Sequence, residues 1–125
     1  MNKYKNKKTE VDGKLFDSKK EAKYYMYLKE LEDRGKIKDL RRQVRYELVP
    51  AVYREEVKHL KTKDKIVSRC IQRPICYDAD FVYIDNDDDR EYVIDVKGGR
   101  ATQTQVFKLK RKMMLALKGI QVVIV

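Results

Sequence analysis

A chain of 125 residues has room for one domain of ordinary size and no second core. Hydrophobic residues make up 42% and charged residues 40%, so a packed core is attainable beneath a heavily ionic surface, and no stretch approaches the ~20 apolar residues of a membrane-spanning helix. Thirty Lys and Arg against twenty Asp and Glu leave a net charge of +10, which argues against a cationic partner and for a polyanionic one, nucleic acid first.

Residues 1–10 read as a basic arm ahead of a single domain spanning 11–125. The arm carries charge with no apolar run behind it, so it is not a signal peptide. Val11 to Phe16 reads as a turn and a short extended piece. Ser18 then opens a helix with Glu21 three residues on, an S-x-x-E capping box. The helix runs to about Arg34, stops at Gly35, and carries Tyr24, Tyr25, Leu28 and Leu31 as its inward stripe. Gln43 to Val49 alternates Val44, Tyr46 and Leu48 with polar residues, a half-buried strand ended by Pro50. Residues 51–73 read as an extended excursion or a hairpin.

A strand follows from Ile75 to Ile84, then the acidic turn Asp85 to Asp89, then a strand from Glu91 to Lys97. Gly98-Gly99 break it. Thr104 caps a second helix that ends at Lys118 before Gly119, and Ile120 to Val125 is a continuous apolar strand. A strand, a helix and an apolar strand in succession predict a parallel crossover that buries the last strand on both faces. Cys70 and Cys76 make neither a metal pattern nor a disulfide framework; they read as buried, reduced thiols, which suits the cytoplasm. The expected architecture is α/β, a mixed central sheet of about four or more strands flanked by helices in the order α-β-β-β-α-β.

The chemistry concentrates in Tyr77-Asp78-Ala79-Asp80-Phe81 and Val93-Ile94-Asp95-Val96-Lys97. Residues two apart in a strand share a face, so Asp95 and Lys97 point one way and Ile94 and Val96 the other. Pairing of the strands lets Asp80 approach Asp95, gathering two carboxylates and an ammonium around one point. That grouping suits a divalent metal and a water activated against a phosphodiester. The plainer alternative is a charged sheet edge with an Asp–Lys ion pair. Asp78 shares a face with Asp80 and stays open as a substitute ligand. Glu21 has two readings, a cap or a third carboxylate of the site. The turn Asp85–Asp89 lacks the Gly and closing Glu of a calcium loop, and His59 lies in a Lys-rich segment with no ligand neighbours. In the second helix Lys108, Arg111 and Lys112 form a cationic ridge opposite Val106, Met113 and Leu117. With Arg100 and the backbone N–H groups that begin at Thr104, this ridge is the expected phosphate-binding surface.

These motifs resemble the PD-(D/E)XK nuclease superfamily: Glu21 in the first helix, Ala79-Asp80-Phe81, Asp95-Val96-Lys97-Gly98, and Thr104 with Phe107-Lys108-x-Lys110. More narrowly, Phe16 to Ala22, Tyr77 to Tyr83 and Val93 to Gly98 are similar to small phage and prophage proteins, a branch resembling Holliday junction resolvases and transposon endonucleases. The resemblance implies a restriction-endonuclease-like core. It also implies that Asp80, Asp95 and the Val96 carbonyl bind Mg²⁺, with Mn²⁺ as a substitute. Lys97 would position or help deprotonate the attacking water, and Glu21 would take the helix-borne acidic position. Ala79 replaces the eponymous Pro. The expected activity is metal-dependent cleavage of DNA, branched recombination or replication intermediates above all. Expected partners are DNA, a second copy if two strands are cut symmetrically, and phage recombination or replication proteins. The competing expectations are a binding-only nucleic-acid module on the same fold and a phage interaction protein.

Overall fold

A computed structural model describes residues 8–99 and 102–125. The first hairpin pairs β1 (Thr9–Val11) with β2 (Lys14–Phe16) through Asp12 and Gly13. Both turn residues have positive φ, at 52° and 74°, the two-residue turn whose twist matches its strands. β1 therefore takes in Thr9 and Glu10 of the expected arm, and residues 1–7 lie outside the described residues. Helix α1 (Lys19–Asp33) follows, with Ser18 Oγ accepting the Glu21 N–H at 3.1 Å and Gly35 in the left-handed region beyond its end.

The central sheet holds β3 (Ile37–Val49), β6 (Ile75–Asp85), β7 (Glu91–Asp95) and β8 (Val122–Ile124) in the order β3-β6-β7-β8. The first three are antiparallel neighbours, and β8 joins β7 in parallel after helix α2 (Gln105–Lys118). This is an α/β fold with a mixed four-stranded sheet and two helices. α1 covers one face with Ala22, Tyr25 and Leu28 against Phe16, Phe81 and Ile94. α2 covers the other with Phe107 and Met114 against Tyr77, Ala79, Val93 and Val122. Residues 51–73 form a separate two-stranded ribbon, β4 (Val52–His59) with β5 (Asp64–Gln72), inserted between β3 and β6.

Four expectations change. β3 begins at Ile37, six residues before Gln43, because Asp39 at φ 54° allows a bulge that carries the charged stretch Lys38 to Arg42 into the ladder. β8 is an edge strand, so Val122 is buried while Val123 is 38% exposed. Cys70 is exposed on the ribbon and Cys76 is half-buried, since neither lies in a core layer. On α2 the apolar face divides. Phe107 and Met114 meet the sheet, Met113 is partly covered, and Val106 and Leu117 face outward.

This division gives a direct test. Met114→Ala, at a fully buried site, should lose about 2–5 kcal/mol in urea unfolding, whereas Leu117→Ala should change stability by less than about 0.5 kcal/mol. Comparable losses in both would mean that the helix is rotated.

Candidate active site

The alternation of the paired strands β3 and β6 breaks at one rung. In β6, Tyr77 and Ala79 face α2 whereas Phe81 and Tyr83 face α1. In β3, Arg42 stacks over Phe16 on the α1 side and Val44 packs on the α2 side. The register places Gln43 opposite Asp80, between the pairs Arg42–Phe81 and Val44–Ala79. Gln43 has φ 51°, a left-handed conformation rare for a residue with a Cβ and concentrated at functional sites. Its amide Nε2 donates to Glu21 Oε1 at 3.2 Å, and the same side chain helps to hold the Asp80 carboxyl down. One amide thus links the helix-borne carboxylate to the strand-borne one.

Asp95 and Glu21 are the buried charged side chains of the described residues, at 4% and 5% exposure. Tyr77, buried on the α2 side, donates its hydroxyl to Asp95 Oδ2 at 2.5 Å. Burial and that bond hold the Tyr77 phenol far above its ordinary pKa, so it stays a donor. Lys97 Nζ stands 3.0 Å from Asp95 Oδ1 but away from hydrogen-bonding geometry, which leaves Oδ1 buried without a donor. The same ammonium lies 4.1 Å from the centre of the Phe107 ring, a cation–π contact that fixes where the charge sits. Asp80 Oδ2 accepts the Val96 N–H at 2.8 Å, tying β6 to the end of β7.

Glu21, Asp80, Asp95, Val96 and Lys97 line an open cleft of about 660 Å³ between the start of α1, the middle of β6 and the end of β7. Asp17, Lys19 and Lys20 form its α1 rim, and the Lys20 ammonium donates to the Lys97 carbonyl. Burial pushes the Glu21 carboxyl up to about 7, the charges of Asp80 and Asp17 adding to the effect against Arg42 and Gln43. Burial pushes Asp80 up to about 6; the Asp95 charge adds, while the Val96 N–H, Lys97 and Gln43 oppose it. Asp78, on the cleft wall, is committed elsewhere. Arg45 grips both its oxygens at 2.8 and 3.1 Å and holds its carboxyl below the usual range.

Of the residues expected in the site, Glu21, Asp80, Asp95, Val96 and Lys97 therefore share one cleft. Thr104 Oγ1 accepts the Phe107 N–H at 3.1 Å and serves as the α2 cap. Arg111 is half-buried and donates to the Val122 carbonyl at 3.1 Å, a bond that anchors β8, while Lys108 and Lys112 are exposed. Arg100 lies outside the described residues. Gln43, Tyr77, Lys20 and the Phe107 ring are contributors that reading the strands and helices did not single out. Among the described residues no three Asp, Glu, His or Cys side chains stand ready grouped around a metal position.

Two outcomes follow from this geometry. Glu21 and Asp80 bind protons more tightly folded than unfolded, so the stabilisation they supply is complete below about pH 4 and drains away as pH rises through about 7. In metal-free buffer Glu21→Gln should therefore gain on the wild type in melting temperature between about pH 5 and pH 8, by a few degrees. A pH-independent difference would separate Glu21 from Asp80. At position 43, Gln43→Gly removes the backbone strain that Gln43→Ala retains, and it should be the more stable of the two by about 1 kcal/mol in urea unfolding. Equal stabilities would mean that φ relaxes in solution.

Comparison with curated proteins and with solved structures gives no match. The family description that fits the chain is "Protein of unknown function (DUF1064)". It matches residues 1–122, nearly the whole length, and the chain belongs to that family.

Proposed function

We propose that the cleft is the active centre of a metal-dependent endonuclease that hydrolyses phosphodiester bonds in DNA, in line with the PD-(D/E)XK resemblance. The observation that carries this reading is the convergence of Asp80 from the middle of β6 with Asp95 and Lys97 at the end of β7, in a cleft open to a large substrate. Asp95 Oδ1 is buried with the Lys97 ammonium 3.0 Å away but outside hydrogen-bonding geometry, so it keeps acceptor capacity for a further cation. Two further carboxyls, Glu21 and Asp80, are held above their ordinary pKa by burial and neighbouring negative charge, and the donors are all hard oxygens. That set fits Mg²⁺ or Mn²⁺. Asp80, Asp95, the Val96 carbonyl and Glu21 would hold the ion, which when bound supplies positive charge to the phosphate and lowers the pKa of a coordinated water.

The chain's own groups do the rest. Tyr77 holds Asp95 in one orientation through Oδ2 and leaves Oδ1 facing Lys97. Lys97, steadied by Phe107, presents a fixed ammonium to a non-bridging phosphate oxygen, whose negative charge grows as water attacks phosphorus. The attacking water, positioned with the help of Lys97, gives its proton to solvent. As the new P–O bond forms, the opposite ester bond breaks and its oxygen takes a proton from solvent water and leaves as a hydroxyl. Lys19 and Lys20 at the rim meet the phosphates on either side. Branched DNA of recombination or replication is the favoured substrate, acted on by a homodimer where both strands are cut.

A binding-only module is the second reading, favoured by the commitment of Asp80 to the Val96 N–H and of Asp95 to Tyr77. Incubation with branched and linear DNA separates the two. The wild type should cut only with Mg²⁺ or Mn²⁺. Asp95→Asn and Lys97→Met should each lose at least about 100-fold in rate, while Asp78→Asn, whose carboxylate serves Arg45, stays within about threefold. Binding without cleavage after long incubation would favour the module, and equal cleavage by every variant would sink the site assignment. A second readout is independent of turnover. Mg²⁺ should raise the melting temperature of the wild type but not of Asp95→Asn, and more at about pH 8 than at about pH 6, where protons compete for Glu21 and Asp80.

A further inference from the structure

The β4–β5 ribbon contributes nothing to either core cluster, and its strands pack substantially only on each other. Its two faces differ. Tyr53, Val57 and Ile66 project from one, exposed by 64%, 56% and 68%. The other carries two like-charge pairs directly across the strands, Arg54 opposite Arg69 and Lys58 opposite Lys65. Like charges at facing positions destabilise a two-stranded sheet, and such a sheet is only marginally stable in water to begin with. Glu56 relieves one of the four, at 3.6 Å from Arg69; among the described residues Arg54, Lys58 and Lys65 make no ion pair. The tip adds Lys61 and Lys63, exposed around the Leu60 N–H to Lys63 carbonyl bond. Repulsion concentrated on one face of an unsupported ribbon is relieved by an anion bridging the pairs.

We infer that the cationic face of the β4–β5 ribbon is a binding arm for the phosphate walls of double-stranded DNA, outside the cutting centre. The inference deepens the nuclease reading and rests on its nucleic-acid partner. The two pairs lie four residues apart, about 13 Å along the ribbon. The major groove of B-DNA is about 12 Å wide and admits a two-stranded ribbon, so each pair can meet one wall. Between them Glu56 and Val67 face the groove. Five residues of β6 separate the ribbon root at Ile75 from Asp80, about 17 Å of strand, or roughly five base-pair steps of duplex. The arm therefore holds duplex flanking the bond in the cleft and leaves that bond untouched.

The test replaces all four cations by Thr, a strand-compatible residue, in the full chain: Arg54→Thr, Lys58→Thr, Lys65→Thr and Arg69→Thr together. Affinity for duplexes of about 10 and 30 base pairs is measured by fluorescence anisotropy without divalent metal, across a salt series. The wild type should bind the long duplex more tightly, and the variant should lose that advantage. The slope of log affinity against log salt should fall by about 3.6, roughly 0.9 for each of the phosphates that the four cations no longer neutralise. An unchanged melting temperature confirms that the ribbon substitutions leave the core alone. Unchanged affinity and slope in the variant overturn the arm, as does a wild type that binds neither duplex. Cleavage is scored separately. A wild type that cuts while the variant keeps its slope sinks the arm and leaves the nuclease standing. Ribbon-dependent binding without any cleavage supports the arm and sinks the nuclease.

Discussion

Gln43 and Asp80 occupy the rung on which the molecule turns. On one side of it the paired strands β3 and β6 send Val44, Tyr46, Leu48, Tyr77 and Ala79 toward α2, and on the other Ile37, Leu40, Phe81 and Tyr83 toward α1, with Val82 alone returning to the α2 side. A regular pair of strands would carry one alternation through its whole length and bury one continuous stripe. Here the parity changes in both strands at the same pair. That change lets two helices on opposite faces each find an apolar surface beneath them. The cost is a left-handed Gln in mid-strand, and it persists because both layers of core over-determine the position. Asp80 sits where neither layer claims the side chain, and the two carboxylates from the opposed layers, Glu21 and Asp95, arrive beside it.

Electrostatically the centre opposes the surface that surrounds it. A chain of net charge +10 concentrates buried negative charge at one cleft, where burial and proximity keep Glu21 and Asp80 partly protonated. Such an arrangement weakens the isolated fold near neutral pH. On the proposed reading, a bound cation would offset the stability given up locally at this cleft. The Asp95–Lys97 contact is not a stabilising salt bridge in the ordinary sense. The ammonium is held as much by the Phe107 face as by the carboxylate, and Asp95 leans on Tyr77.

Much of this was legible from the residues in order. The two helices, their Ser18 and Thr104 caps, the Gly35 and Gly119 stops, the three antiparallel strands and the parallel return all follow from short-range patterns. Asp95 and Lys97 on one face, with Ile94 and Val96 on the other, follow from alternation alone. What escaped depended on contacts between distant segments. The capping box is half made, because Ser18 caps the Glu21 N–H while the Glu21 side chain turns to Gln43, twenty-two residues away. Gln43 carries no local sign of positive φ, since Gln is not a turn residue. Val123 reads as buried in an apolar run, yet β8 has a neighbour on one side only. Cys70 alternates with apolar residues on a ribbon that has no core to bury them in. Arg111 shows that a helical ridge of cations can be shared between solvent and a backbone carbonyl.

The isolation of the ribbon bears on how the molecule unfolds. β3 and β6 are antiparallel neighbours whose near ends, Val49 and Ile75, already pair, so β4 and β5 merely prolong the connection between them. A connection of that kind can be lengthened or shortened at a closure cost that grows only with the logarithm of its length. The ribbon amides can open to solvent and exchange without disturbing Phe81, Met114 or the cleft, making them a separate cooperative unit of low local stability. Sequence change along the ribbon is thereby uncoupled from the integrity of the sheet, and this is the part of the chain in which new surfaces arise at least expense to the fold.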